Sequence, residues 1–176
     1  MKYLRIPKER IGVLIGPEGE TKQAIENATQ VTIEIDSKEG EVTIDDHAIT
    51  DPLNAFKSED IIRAIARGFS PEHALLLVRD DMSLFIFDIH DYVGKRATHI
   101  KRLKSRIIRT NGKTKHTLEH LTGASLSIYG HTIGIIVDFE VMEYAKKAVD
   151  MLLCGSKHAS VYRYLEREMK HLRLGL

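Results

Sequence analysis

The feature that most constrains the fold of this chain is an internal repeat. Residues 15–35, which begin IGPEGETKQAI, align with residues 108–128, which begin IRTNGKTKHTL, at a fixed offset of 93 positions. Seven of the 21 aligned positions are identical, whereas composition alone would give about one or two. The identical pairs are Ile15/Ile108, Gly19/Gly112, Thr21/Thr114, Lys22/Lys115, Glu26/Glu119, Thr29/Thr122 and Ile35/Ile128. We therefore predict two copies of one structural unit.

Each copy is predicted to contain its elements in the order β-α-α-β-β-α. The first copy begins with an apolar alternating stretch, followed by two short helices around the turn GPEG and then by two strands of period two. Its last helix is predicted to begin at Pro52, to end at Gly68 and to bury one apolar face. That face is predicted to consist of Leu53, Phe56, Ile61, Ile62 and Ile65.

The turn from Gly16 to Gly19 has a composition that suits phosphate binding. Because neither glycine carries a Cβ, a phosphate can approach the backbone, and the free N–H groups of the next helix point at the same place. Such a turn holds a nucleic-acid backbone without reading its sequence. The same residues also suit an ordinary turn between helices, but their repetition in the same unit favours the binding interpretation.

The pattern I-G-x-x-G-x-x-x-x-I in this order of elements resembles a type I KH domain, a module that clamps about four nucleotides of single-stranded RNA with its GxxG loop. Longer stretches narrow the resemblance: RIGVLIGPEGETK, GFSPEHALLLVRDD, NGKTKHTLEHLTGASLSIYG and LLCGSKHASVYRYLE. Together they are similar to the archaeal and eukaryotic two-KH ribosome-assembly factors that partner the Nob endonuclease in maturing the 3′ end of small-subunit rRNA. The resemblance covers residues 2–170.

This resemblance implies an α+β protein with two tandem type I KH domains. It also implies a single-stranded RNA ligand, the 3′ region of small-subunit rRNA or its precursor, and a processing endonuclease or another ribosome assembly factor as partner. The expected divisions are a first KH domain at 1–70, a connecting helix at 71–81, a second KH domain at 82–155 and a C-terminal helix at 156–176.

The second loop departs from the GxxG pattern, because Arg109 stands where the first glycine is expected. If that position needs a positive φ, a Cβ there costs about 1 kcal/mol. Asn111 tolerates such angles better than most residues. The alternative is that Arg109 adopts helical geometry and contacts a phosphate itself, and the sequence leaves both alternatives open.

The two halves of the chain carry opposite charge. Residues 1–90 hold 10 Lys/Arg against 17 Asp/Glu, and residues 91–176 hold 16 against 8, so the nets of −7 and +8 sum to +1. Residues 95–115 contain nine Lys/Arg and no acid, which favours a phosphate-binding face. The predicted RNA-binding residues are Lys101, Arg102, Lys104, Arg106, Ile108, Arg109, Thr110, Asn111, Gly112, Lys113, Thr114 and Lys115.

The first loop is predicted to be a secondary RNA-binding site. It consists of Gly16, Pro17, Glu18 and Gly19, and Glu20 follows at once. The two carboxylates would repel a phosphate at the distance where the loop should attract it. Our hypothesis is that residues 1–70 contribute less to RNA affinity and instead brace the second copy or face a protein partner.

No pattern predicts an enzyme, a metal site or a cofactor. The tripeptide GKT at residues 112–114 lacks the glycine that a P-loop carries five positions earlier, since Ile107 stands there. Two histidine pairs are considered as metal ligands; the second has the i,i+4 spacing that metal ions favour on a helix but lacks the glutamate of an H-E-x-x-H motif. These pairs are His90 with His99, near Asp91, and His116 with His120.

The sequence also bears on the compartment. No run of about 18 apolar residues is present, and the N-terminus carries charges and a proline where a secretory signal would be apolar. With Cys154 as its single cysteine, the chain is expected to be soluble and cytoplasmic, with no membrane partner.

Two other functions stay open: a protein-binding adaptor for a translation or assembly factor, and a general single-stranded nucleic-acid binder in RNA decay.

Overall fold

A computed structural model describes residues 1–176 and divides the chain into two units, Met1–Met82 and Ser83–Leu176. Each unit combines helices with one three-stranded sheet. The predicted α+β class is therefore confirmed, and so are the two copies. No helix in the chain is both long enough and apolar enough to cross a membrane.

The first unit follows the predicted order of elements. Its sheet has the order β1-β3-β2, and both neighbouring pairs of strands are antiparallel. The short helix after the repeat begins at Pro71, and the Ser70 hydroxyl accepts a hydrogen bond from the His73 N–H at its N-terminus. The elements are β1 (Lys2–Arg5), α1 (Lys8–Ile15), α2 (Glu20–Thr29), β2 (Thr32–Asp36), β3 (Glu41–Asp45), α3 (Leu53–Ala66) and α4 (Pro71–Leu75).

The buried face of α3 differs from the prediction. Leu53 and Phe56 are 58% and 60% exposed, so assigning them to the core was wrong. The buried face instead begins with the small residues Ala55 and Ser58, and the Ser58 hydroxyl donates to the Ala55 carbonyl at 2.9 Å. Phe56 lies on the surface with the Lys2 ammonium 3.8 Å from its ring centroid.

The second unit repeats the order and adds one short helix and one long helix. Its sheet has the order β4-β6-β5, so β5 is an edge strand like β2 in the first unit. The four-residue helix α5 was not predicted. The elements are β4 (Met82–Asp88), α5 (His90–Val93), α6 (Ala97–Ile108), α7 (Lys113–Thr122), β5 (Ser125–Tyr129), β6 (Thr132–Asp138), α8 (Phe139–Leu153) and α9 (His158–Leu174).

The C-terminal helix α9 contributes to the core of the second unit. Val161 and Leu165 are fully buried and belong to the same apolar cluster as Ile135 and Leu152. Full burial of side chains of this size stabilises a fold by about 1.5–3 kcal/mol each. Helix α9 is therefore an integral part of the unit that carries the basic loop.

Candidate nucleic-acid interface

The first positions of the two interhelical loops share one backbone conformation. Gly16 has φ 74° and ψ 173°, and Arg109, 93 positions later, has φ 59° and ψ −178°. Both N–H groups donate back into the preceding helix, Gly16 to the Gly12 carbonyl at 2.9 Å and Arg109 to the Ser105 carbonyl at 2.8 Å. Arg109 therefore keeps the positive φ of the glycine that it replaces and does not continue the helix.

The rest of the two loops matches in the same way. Glu18 (φ 52°, ψ 20°) corresponds to Asn111 (φ 55°, ψ 26°), and Gly19 (φ 80°, ψ 12°) corresponds to Gly112 (φ 71°, ψ 19°). In each loop the last N–H donates to the carbonyl of the first residue at 3.2 Å. The second unit thus has the backbone of a GxxG loop although it lacks one of the two glycines.

This conformation is costly for a residue that carries a Cβ. The combination of positive φ with extended ψ is almost confined to glycine, and another residue held there costs on the order of 1–3 kcal/mol. A Cβ built on Gly16 would lie 2.3 Å from Oγ1 of Thr21. In the second unit the matching Thr114 is fully buried, and its Oγ1 accepts a hydrogen bond from the Tyr162 hydroxyl at 3.0 Å.

Helix α6 presents part of its predicted basic set to solvent. Leu103 and Ile107 are buried in the core, whereas Lys101 and Arg102 are exposed and Lys104 is partly buried. In the loop and at the start of α7, the exposed residues are Arg109, Thr110, Asn111 and Lys113, and the partly buried ones are Ile108, Gly112 and Lys115.

Most of these cations have no carboxylate partner. Lys115 is the exception, since its ammonium lies 3.9 Å from Glu119 Oε1. The other exposed or partly buried cations of the set make no ion pair: Lys101, Arg102, Lys104, Arg106, Arg109 and Lys113. Uncompensated charge of this kind attracts a polyanion and releases its counterions.

Two residues of the predicted site are engaged inside the unit. The Arg106 guanidinium donates from Nε to the Leu152 carbonyl at 2.9 Å and from Nη2 to the Ser156 carbonyl. Thr114 is fully buried and bonded to Tyr162. These side chains connect the loop and its flanking helices to α8 and α9.

The first loop differs in charge, not in shape. Glu18 and Glu20 are both exposed beside the Gly16–Gly19 turn, whereas Asn111 and Lys113 occupy the matching positions of the second loop. Lys22 lies 3.6 Å from Glu26, just as Lys115 lies beside Glu119. One backbone thus carries an acidic surface in one copy and a basic surface in the other.

A repeated glutamate holds the edge strand next to the second helix of each copy. Glu26 Oε1 accepts a hydrogen bond from the Ile33 N–H at 2.7 Å, and Glu119 Oε1 accepts one from the Leu126 N–H at 2.9 Å. These N–H groups belong to the edge strands β2 and β5, and the glutamate takes the place of the strand that would neighbour them in a larger sheet. This shared hydrogen bond explains why both copies carry a glutamate at this position.

Two residues of α9 support the basic loop, and the sequence alone did not predict them. Nε2 of His158 donates to the Arg106 carbonyl at 2.9 Å, and Tyr162 bonds to Thr114. These two side chains contact both helices that flank the RTNG loop. Their partners lie about fifty residues earlier in the chain, so no local pattern indicates the contacts.

Comparison with protein families gives two matches. Residues 83–170 match a model described as a eukaryotic type KH domain of type I, the second domain of PNO1. Residues 2–50 match the general KH domain model. The two tandem KH domains that the resemblance implied are thereby confirmed.

Comparison with curated proteins finds archaeal and eukaryotic relatives. KH domain-containing protein MJ0443 of Methanocaldococcus jannaschii is 46% identical over 98% of this chain and 76% of its own length. Pre-rRNA-processing protein PNO1 of Eremothecium gossypii is 30% identical over 82% of this chain and 54% of its own length. The chain thus spans about half the length of the eukaryotic relatives that it matches.

Two solved structures from Pyrococcus horikoshii are similar over nearly the whole chain. Dim2p has 45% sequence identity and a TM-score of 0.87, with 94% of this chain and 98% of that chain covered. A complex of a/eIF2alpha, aDim2p and rRNA matches with 45% identity and a TM-score of 0.88, with 96% and 93% covered.

Proposed function

This chain belongs to the Dim2/PNO1 family of KH-domain proteins, and we propose that it binds single-stranded RNA through the RTNG loop of its second unit. Residues 1–70 and 82–155 are taken as the two KH domains, residues 71–81 as the connector and residues 156–176 as the C-terminal helix. In this proposal the protein holds RNA and performs no reaction on it.

The observation that carries the proposal is that the two loops share one backbone conformation but carry opposite charge, acidic in the first unit and basic in the second. The N–H groups at the start of α7 point at the place where a phosphate would lie, and the positive end of the helix dipole favours an anion there. Lys101, Arg102, Lys104, Arg109 and Lys113 surround or precede this loop without a carboxylate partner.

The RNA is proposed to be the 3′ region of small-subunit rRNA or its precursor. Two observations support this choice: relatives of the chain are named pre-rRNA-processing proteins, and a similar solved structure contains rRNA. A processing endonuclease or another ribosome assembly factor would act on the RNA that this chain presents or withholds. The proposed location is the cytoplasm.

Within the predicted site, Arg106 and Thr114 are assigned a supporting role. Both side chains are committed to partners inside the second unit, so neither is free to reach a phosphate without losing a bond. The residues proposed to face RNA directly are the other members of the set from Lys101 to Lys115, all of which are exposed or partly buried.

The test is fluorescence anisotropy with a labelled strand that copies the 3′ end of small-subunit rRNA. A scrambled strand and a duplex serve as controls, and each is titrated at low and moderate salt. We expect tight, salt-sensitive binding of the authentic single strand and weaker binding of both controls. Equal weak binding of all three strands would contradict the proposal that this chain recognises the 3′ region of small-subunit rRNA.

The chain supplies its own matched pair of variants. Gly112→Asp and Gly19→Asp place the same carboxylate at matching left-handed positions, φ 71° and 80°. A Cβ on Gly19 meets nothing within 4 Å, and one on Gly112 lies 3.3 Å from Nε2 of the exposed His116 side chain. We expect Gly112→Asp to weaken RNA binding far more than Gly19→Asp, and equal losses would contradict the division of labour.

The acidic first unit supports a second candidate function, docking of a protein partner. Its loop has the RNA-binding backbone but exposes Glu18 and Glu20. One similar structure holds a/eIF2alpha together with rRNA, which fits an adaptor for a translation factor. Charge reversal by Glu18→Lys with Glu20→Lys is expected to abolish binding of such a partner and to leave RNA affinity unchanged or raised.

A further inference from the structure

A group of metal-ligating side chains lies in the second unit, formed by residues that are distant in sequence. Asp88 ends β4, His90 begins α5, and His131 stands in the turn between β5 and β6. One ligand atom from each residue lies within 4.8 Å of the other two. We name these three residues the Asp88 cluster.

The donor atoms of the Asp88 cluster face one carboxylate oxygen. Oδ1 of Asp88 is 2.9 Å from Nδ1 of His131 and 3.2 Å from Nδ1 of His90. The two imidazole rings lie nearly parallel, with centroids 4.1 Å apart. The side chains are 28–41% exposed, so water can reach the group.

The backbone holds the cluster in place. The His90 N–H donates to Oδ1 of Asp88 at 2.9 Å, which fixes the carboxylate above the start of α5. The Ile89 N–H donates to the His131 carbonyl at 2.8 Å, which joins the end of β4 to the β5–β6 turn. Hydrogen bonds of this kind pre-orient ligands and limit the rearrangement that binding requires.

The distances between these ligand atoms are close to the distances between two ligand atoms around a bound first-row transition-metal ion. With zinc–ligand bonds of about 2.0–2.2 Å in tetrahedral geometry, two ligand atoms lie about 3.3 Å apart. The observed 2.9 and 3.2 Å therefore need to widen by only a few tenths of an ångström around the carboxylate. Two imidazoles with one carboxylate suit Zn²⁺, Co²⁺ or Ni²⁺, whereas Mg²⁺ and Ca²⁺ prefer oxygen ligands alone.

We propose that Asp88, His90 and His131 bind one divalent transition-metal ion, with water completing its coordination. The ion would join the end of β4 and the start of α5 to the β5–β6 turn. It would stabilise the second unit without taking part in contact with RNA, because none of the three residues belongs to α6, the RTNG loop or α7. The site is thus independent of the RNA-binding proposal.

The test uses isothermal titration calorimetry with Zn²⁺, together with visible absorption of Co²⁺, on the full chain. We expect one ion per chain and a tetrahedral Co²⁺ spectrum. His131→Gln and Asp88→Asn are each expected to lower the affinity by about tenfold or more. Circular dichroism verifies that each variant folds, and Asp88→Asn retains an oxygen that can accept the His90 N–H.

A second group in the first unit supplies the control. Asp45, Asp46 and His47 also have ligand atoms within 4.8 Å, but Oδ1 of Asp46 is bonded to the N-terminal ammonium at 2.8 Å and His47 is 74% exposed. His47→Gln is expected to leave the affinity unchanged. No uptake of either ion by the wild-type chain, or equal affinity in wild type and His131→Gln, would overturn the proposal.

Discussion

The main-chain carbonyl of Arg106 accepts a hydrogen bond from Nε2 of His158, 2.9 Å away and 52 residues later in the chain. The guanidinium of the same arginine donates to two carbonyls at and beyond the end of α8. Arg10 makes the matching pair of bonds in the first unit, to Ile65 and Phe69 at 2.8 Å each. In both copies an arginine of the helix before the interhelical loop (α1 or α6) therefore binds the C-terminal end of the last helix of the repeat (α3 or α8).

We expect Arg106→Ala to destabilise the second unit and to leave the salt dependence of RNA binding unchanged. Hydrogen bonds from a charged donor contribute about 1.5–3 kcal/mol each, so losing both is expected to lower the free energy of unfolding by about 3 kcal/mol or more. Lys104→Ala, on the same helix, should leave that free energy unchanged and reduce the salt slope by about one. Urea denaturation and anisotropy at several salt concentrations measure the two effects, and a lower salt slope in Arg106→Ala would place its guanidinium on RNA.

Replacing Arg109 separates backbone strain from charge. Arg109→Gly should raise the free energy of unfolding by about 1 kcal/mol, because it frees a position of φ 59° and ψ −178° from its Cβ. The same change should weaken RNA binding, because one cation is lost. Arg109→Ala, which keeps the Cβ and removes the charge, should weaken RNA binding equally without stabilising the fold. Thermal and urea unfolding of the three proteins decide whether strain is present.

Glu119 both holds the edge strand and neutralises part of the basic surface. Glu119→Gln keeps an oxygen for the Leu126 N–H and removes the negative charge 3.9 Å from Lys115. We expect stability within about 0.5 kcal/mol of wild type, and tighter RNA binding at low salt that disappears at high salt because the effect is electrostatic. Glu119→Ala loses the acceptor as well and should cost about 1–3 kcal/mol. Unchanged affinity of the Gln variant would show that RNA does not approach α7.

Tyr162→Phe tests the support that α9 gives to the basic loop. The change removes the only hydroxyl that bonds to the buried Oγ1 of Thr114 and should cost about 1 kcal/mol. Amide hydrogen exchange should become faster at residues 113–115, at the start of α7. Residues 20–22 of the first unit provide the internal control, and uniform acceleration in both loops would contradict a local role for Tyr162.

The repeat made the elements and the loops predictable, because several shared identities make the same side-chain contacts in both copies. These are Lys22/Lys115, Glu26/Glu119 and Thr29/Thr122. The face of α3 was mispredicted since Ala55 and Ser58 lie against the core although neither is a large apolar residue. The sequence did not distinguish Arg106 from the RNA-facing cations around it, because its hydrogen-bond partners lie 46 and 50 residues away. Asp88 and His131 are 43 residues apart, so no local spacing indicated their contact.

The exposed Asn111 directly precedes Gly112, and this pairing sets a chemical lifetime for the loop. A glycine offers no Cβ to hinder its main-chain nitrogen from attacking the asparagine amide, which releases ammonia and leaves an aspartate or isoaspartate after hydrolysis. The hydrogen bond from the Gly112 N–H to the Arg109 carbonyl slows this attack for as long as the loop stays closed. Ageing would therefore place a carboxylate where the first copy carries Glu18, and a stored sample would lose RNA affinity in step with its deamidation.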